Sequence, residues 1–492
     1  MTFIPLTETK KIPPGYQRTV DILTWPIIGP FLRWRHARRA MQIITLVIVG
    51  FLIFDGLLGP QQAPKNLATV TTWVHYRGFA ILALFIVGNL FCMACPFMLP
   101  RELGRRLGAA LGLQGQVPHR LRNKWLAIVL LITFFFSYEL YDLWASPWLT
   151  AWLIIGYFLV AFVVDTFFRG AAFCKYVCPL GQFNFLGSLV SPAEIKIRRA
   201  DTCATCRTKD CIAGNKRTGQ RGCELWLFQE KKVGNMDCTF CLDCVQACPH
   251  DNIGLLARVP TQELWSDPRR SGIGRFGQRW DLAALVIVLT FGAYLNAFGM
   301  ISPVYALQQS LAEWLNTTSE TPGLLLIFAV GLVLLPTALL SLASFCSRLL
   351  SGHTQEPLSV VIHPFTYSLI PLGFGMWLVH YAFHFLTGVL TLIPVSQSFL
   401  NDSGLDVGRP QWQLGPAVPL DWLFPIQAVS LYLGLFGSLV VGFQIAVGHY
   451  KTRKAALRAF LPWGILALLM LATALWIMLQ PMEMRGTIFQ GL

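Results

Sequence analysis

The chain has 492 residues, 13% of them charged and 54% apolar, with a mean hydropathy of +0.54. A soluble domain carries roughly 25% charged residues, so a multi-domain soluble protein, a disordered chain, a collagen and a small disulfide scaffold are excluded. The net charge is +14, but all except four of the 39 Lys and Arg residues (Lys65, Arg77, Arg409 and Arg485) fall on one side of a membrane topology. That is the positive-inside bias of a multi-span protein, not the footprint of a nucleic-acid binder.

A span needs about 20 mainly apolar residues. Nine runs qualify: 41–58, 76–96, 125–145, 148–168, 281–301, 323–345, 366–393, 425–447 and 459–480. Arg33, Arg35, Arg38 and Arg39 precede the first and put the N-terminal segment, 1–40, in the cytoplasm. Residues 20–35, with Trp25, Ile27, Phe31 and Trp34 beside arginines, read either as a segment on the inner membrane surface or as a disordered tail. The first run is too long for a cleavable signal peptide, and no cleavage site follows it. Basic residues from Arg101 to Lys124 keep that loop inside. The stretch 302–322 has no Lys or Arg and lies outside, as does the loop 394–424. Lys451, Arg453, Lys454 and Arg458 hold the last turn inside, which leaves the tail 481–492 outside. The expected location is the inner, cytoplasmic membrane of a prokaryote. The spans divide into a four-helix unit, 41–168, and a five-helix unit, 281–480. Between them, 169–280 has no spanning run and reads as a cytoplasmic insert.

Of thirteen cysteines, eight lie in the insert. One run is Cys238-x2-Cys241-x2-Cys244-x3-Cys248-Pro249, the bacterial ferredoxin spacing. Three thiolates two residues apart let one loop wrap three corners of a cubane, and the Cys-Pro leaves the loop to serve another cluster. The other run is Cys203-x2-Cys206-x4-Cys211-x11-Cys223. By ferredoxin logic Cys203, Cys206, Cys211 and Cys248 hold one [4Fe–4S] cluster, and Cys223, Cys238, Cys241 and Cys244 the other. Zinc knuckles or disulfides are the competing readings. A reducing cytoplasm disfavours disulfides, and zinc leaves the unbroken run unexplained.

Cys92-x2-Cys95-Pro96 ends the second run and Cys174-x3-Cys178-Pro179 follows the fourth. Matching flanks make them a parallel internal repeat at the inner membrane face. The proline is expected to stop each helix and leave the thiols at its C-terminal end. Four thiols on related helices would bind a metal, cycle between dithiol and disulfide, relay electrons, or simply pack. Lys175 and Arg101 are the cations nearest to them in sequence. Cys346 reads as structural.

These paired Cys-Pro hairpins followed by a two-cluster run resemble the membrane polyferredoxins of the NapH, NosR and CcoG type. The resemblance covers roughly 75–258. It implies electron transfer linked to the quinone pool, or support for building a metalloenzyme. The first Cys-Pro motif has two intervening residues instead of three. No flavin-attachment threonine motif, large outside domain or C-terminal soluble β-domain is visible.

His380 and His384 share one helix face in the seventh run and read as a quinone or proton-handling site, as ligands of a b-type haem, or as packing residues. His363 and His449, near inner span ends, are a second candidate pair. Glu139, Asp142 and Asp165 are candidate proton acceptors, whereas Asp55 reads as interfacial. The expected fold is an α-helical polytopic membrane protein of about nine spans with an inserted cytoplasmic α+β two-cluster ferredoxin-like domain. The expected function is electron transfer between a membrane donor, a quinol, and a redox partner, as a subunit of a quinone-linked oxidoreductase system. The alternatives are a metal-reducing assembly factor for a metalloenzyme and a redox-driven transporter.

Overall fold

The computed structural model describes residues 20–482. The tail 483–492 and most of the N-terminal segment therefore lie outside the described residues. Eight helices are long and apolar enough to cross a membrane, so the protein is a mostly helical, polytopic membrane protein. They are Ala37–Leu58, Leu67–Val87, Pro147–Phe167, Trp280–Phe298, Thr321–Ser351, Leu358–Asp402, Leu420–His449 and Arg453–Leu479. The remaining expected span is a shorter apolar helix, Trp125–Leu140, of 16 residues. At about 1.5 Å per residue it is roughly 24 Å long, less than the ~30 Å hydrocarbon layer.

The second span departs most from expectation. It begins at Leu67, passes through a π-helical stretch at Val70–Tyr76 and stops at Val87. Gly88 ends it with φ +75°, and a Cβ there would sit 2.8 Å from the Phe240 ring. Arg77 consequently lies at the middle of a span, not outside. Its guanidinium stacks on Trp73 and Tyr138, each 4.5 Å away, and donates to Tyr138 Oη at 3.2 Å. Ring faces stabilise a cation that has left water.

The two membrane units share one core. Ile81, Leu84, Ile128 and Leu131 pack with Leu285, Leu289, Phe365 and Trp377. The helical stretch Leu358–Asp402, 45 residues long, is too long for a single crossing. Its last part reaches back, and Val395 packs against Leu52, Leu67 and Ile154. Asp55 is buried, not interfacial: its carboxylate accepts from Leu67 N at 2.6 Å and ties the first span to the second.

In the insert, β1 (Ala193–Ile197) pairs antiparallel with β2 (Ile253–Ala257), Ile195 opposite Leu255. Residues from 20 onward dock here instead of trailing free. Asp21 bridges to Leu256, and Leu23 and Leu32 enter the core formed by Ile195, Phe240 and Ile253. Trp25, Ile27, Phe31 and Trp34 remain exposed on the far side. Phe185, Leu186, Leu189 and Val190 share a core with the spans, as do Met236, Leu264, Ile273 and Phe276 from later in the insert.

Candidate functional site

Both cysteine runs use the same local device. Leu242, with φ +60°, precedes the helix Asp243–Ala247, which starts Asp243-Cys244. Lys209, with φ +49°, precedes the helix Asp210–Ala213, which starts Asp210-Cys211. Asp237 and Phe240 are also left-handed. Bulky residues adopt that conformation only under local constraint. Alternating hand turns successive N–H groups inward, the concavity found around phosphates and iron–sulfur centres.

The two cysteine runs approach each other: on top of burial, charge on Cys203, Cys248 or Cys206 would push the Cys211 thiol up, and charge on Cys223, Cys241 or Cys238 the Cys244 thiol. Asn252 joins the distant members of the first group, its Nδ2 donating to Cys203 Sγ at 3.3 Å and its N–H to Cys248 Sγ at 3.4 Å. Cys223 N donates to Cys211 O at 2.9 Å, where the two groups meet. All thirteen cysteines are free. Among the described residues no three of these sulfurs lie within 4.8 Å of one another. Four cysteines per group is the donor set of a [4Fe–4S] cubane and also of a structural zinc site. Burial pushes the Cys211 thiol up to about 11 and the Cys223 thiol up to about 12.

The second group is joined to the membrane unit. Asn89 Nδ2, just past the second span, donates to Cys238 O at 2.9 Å. Buried Lys124 donates to Asp237 Oδ1 at 2.6 Å and to Lys175 O at 2.7 Å. Burial pulls the Lys124 ammonium down, and Asp237 opposes that shift. Arg38 pairs with Asp243 at 2.8 Å. Asp243, Cys241 and Glu224 bring their ligand atoms within 4.8 Å of one another. Burial pushes the Glu224 carboxyl up, but Arg101, Arg38, Arg221 and Arg105 outweigh it and hold it below the usual range. Cys203, Cys206 and Cys211 are half-exposed, whereas Cys238, Cys241 and Cys244 are buried.

The Cys-Pro motifs also approach each other: Asn184, on the helix after Cys178, donates to Cys92 Sγ at 3.3 Å, and Cys174 Sγ donates to Met98 Sδ, just past Cys95, at 3.9 Å. The motifs do not end the spans, which stop earlier, at Val87 and Phe167. Each stands instead before a following helix. Cys178 caps Pro179–Gly187, its Sγ accepting from Gly181 N at 3.2 Å. Cys95 precedes Met98–Ala110 and faces the N–H groups of Phe97 and Met98. The proline that cannot continue a helix is well placed at the first position of the next. Lys175 turns away to Leu225 O, 3.4 Å distant, whereas Arg101 lies beside Cys174.

The histidines separate. His380 and His384 are buried with ring centroids 5.2 Å apart on one helix, which does not provide two axial ligands facing each other across a haem. His363 stacks on Trp280 at 4.6 Å and His449 contacts Glu356 at 3.5 Å, so that pair does not form. Asp165 is paired with Arg101 at 2.6 Å, and Glu139 accepts from Asn296 Nδ2 at 3.4 Å.

No family model matches the chain, and no solved structure matches it. An uncharacterised protein of Methanocaldococcus jannaschii is 29% identical over 210 residues, 41% of this chain and 75% of that one. The regulatory protein NosR of Pseudomonas aeruginosa is 29% identical over 267 residues, 45% of this chain and 35% of NosR. YccM of Escherichia coli, named for electron transport, is 29% identical over 89 residues, 18% of this chain and 22% of YccM. The chain thus spans about a third of NosR and a fifth of YccM. At this low identity the similarities agree with a membrane redox family.

Proposed function

We propose that the chain is a membrane-bound electron-transfer protein that passes electrons between a quinol and a redox partner through two [4Fe–4S] clusters. The insert would lie on the cytoplasmic side. The observation that carries the reading is the contact between the two runs, Asn252 donating to both Cys203 and Cys248 and Cys223 N donating to Cys211 O. Cys203, Cys206, Cys211 and Cys248 would hold one cluster, and Cys223, Cys238, Cys241 and Cys244 the other. When bound, the clusters supply one-electron oxidation and reduction. The chain's own residues do the rest. The Phe240 N–H faces Cys238, and left-handed Leu242 and Lys209 lead into the helices that begin Asp243-Cys244 and Asp210-Cys211. Asn89 and Lys124 hold the buried loop against the spans, and Asn252 donates to two thiolates of the other. Half-exposed Cys203 and Cys206 lie in a segment that also carries exposed Arg207, Lys216 and Arg217, a setting for a partner with an acidic face. Anaerobically purified protein should contain about eight iron and eight labile sulfide atoms per chain. Bound zinc with negligible sulfide would overturn the reading.

The alternative, a metal-reducing assembly factor, draws on the approach of the two Cys-Pro motifs. It is favoured if Cys95→Ala abolishes metallation of a partner enzyme while quinol-dependent cluster reduction is unchanged.

A further inference from the structure

The Cys-Pro thiols have surroundings that packing does not require. Cys178 Sγ accepts from a helix N-terminal N–H at 3.2 Å, and Cys92 Sγ accepts from Asn184 Nδ2 at 3.3 Å. Cys95 faces two further backbone N–H groups, and Cys174 lies beside the Arg101 guanidinium. Each of the four sulfurs therefore meets a donor or a cation. Donors aimed at sulfur stabilise thiolate, and a neutral thiol gains little from them. All four are buried or half-buried. Burial by itself favours the neutral thiol, whereas a coordinated metal deprotonates it outright. The same Arg101 pairs with Asp165 at 2.6 Å and with Glu224 at 3.5 Å, and Glu224 is the neighbour of Cys223. The site is thus linked by side chains to the buried cysteine group.

We propose that Cys92, Cys95, Cys174 and Cys178 hold a third metal centre of the iron–sulfur class at the inner membrane face. The donor set is soft, which selects zinc, Cu(I) or iron–sulfur. The link through Arg101 and Glu224 to the buried cysteine group favours a redox-active centre over zinc, which has no redox chemistry. The centre's role in electron transfer rests on the function proposed above; its existence does not.

The test is iron and labile sulfide per chain in anaerobically purified full-length protein, with low-temperature electron paramagnetic resonance after reduction. Two cubanes account for about eight irons, so a third centre raises the count to about ten to twelve. Cys178→Ala, and separately Cys95→Ser with Cys178→Ser, should return it to about eight and remove one signal. A wild-type count of about eight that these variants leave unchanged overturns the third centre and spares the two-cluster reading. Iron that Cys178→Ser abolishes and Cys241→Ser does not touch overturns the two-cluster reading and spares the third centre. One zinc per chain, lost in the same variants, overturns the iron–sulfur class. If no Cys178 variant accumulates, the wild-type iron and zinc counts decide.

Discussion

The two cysteine-rich loops share a local conformation and differ in their surroundings. Lys209-Asp210-Cys211 and Leu242-Asp243-Cys244 each pass through a left-handed residue into a short helix. The Leu242 loop is enclosed by Asn89, Lys124 and Arg38, all from the membrane unit or its entrance. The Lys209 loop has its cysteines half-exposed and meets Cys223, Glu230 and Phe228. One loop faces the membrane spans and the other faces solvent. Local sequence sets how a thiolate cradle is built, and tertiary contacts set what it is connected to.

The largest expected contrast comes from the ligands themselves. Cys244→Ser should remove one cluster and loosen the insert, because metal ligation substitutes for a core in so small a loop. Cys206→Ser should remove the other cluster and leave the insert docked. Limited proteolysis after iron analysis distinguishes the two; equal loosening would break the comparison.

Next is the buried pair Lys124–Asp237. Removing one partner of a buried ion pair typically costs about 3–5 kcal/mol. Lys124→Met should therefore destabilise the Leu242 loop strongly, and Lys124→Met with Asp237→Asn should recover much of the loss. Thermal unfolding in detergent measures both. Cluster content at Cys203, Cys206 and Cys211 should follow neither change.

A smaller effect comes from Glu102, which pairs with Arg221 at 2.5 Å, close to Cys223. Burial pushes its carboxyl up, but Arg221 and Arg105 outweigh it and lower it from 4.5 to about 2. A depressed carboxyl contributes stability above its unfolded value and loses it as pH falls. The contribution should be complete above pH 4.5 and disappear as pH falls toward about 2. Glu102→Gln should cost about 1 kcal/mol at neutral pH, as partly exposed pairs do, and flatten this part of the stability–pH curve.

The smallest and most selective change is Asn252→Ala. It removes the side-chain donor to Cys203 Sγ, and fewer hydrogen bonds to sulfur lower a cluster's potential. In a redox titration one centre should shift to more negative potential and the other should not move. A shift of both would join the two loops into one unit.

Much of this organisation was legible in the chain. All nine apolar runs correspond to helices, because twenty apolar residues have few stable alternatives in lipid. The Cys238–Cys248 spacing marked its loop. The left-handed residue before Asp210-Cys211 did not show through the irregular Cys206-x4-Cys211 spacing. A comparison of the Asp-Cys pairs would have revealed it. The helix end at Gly88 was hidden by apolar residues that continue past it.

Composition and cysteine spacing alone determined a multi-span membrane protein with one cysteine-rich insert, since hydropathy and ligand spacing are local properties of the chain. Only the tertiary structure decided that residues from 20 onward complete the insert's core, that Arg77 sits mid-span among aromatic rings, and that the Cys-Pro thiols end short helices beyond the spans, with Cys178 capping the next helix as well. Each depends on contacts between segments far apart in sequence. In each case the cost of burying a polar or charged group is offset by a partner that no local pattern identifies.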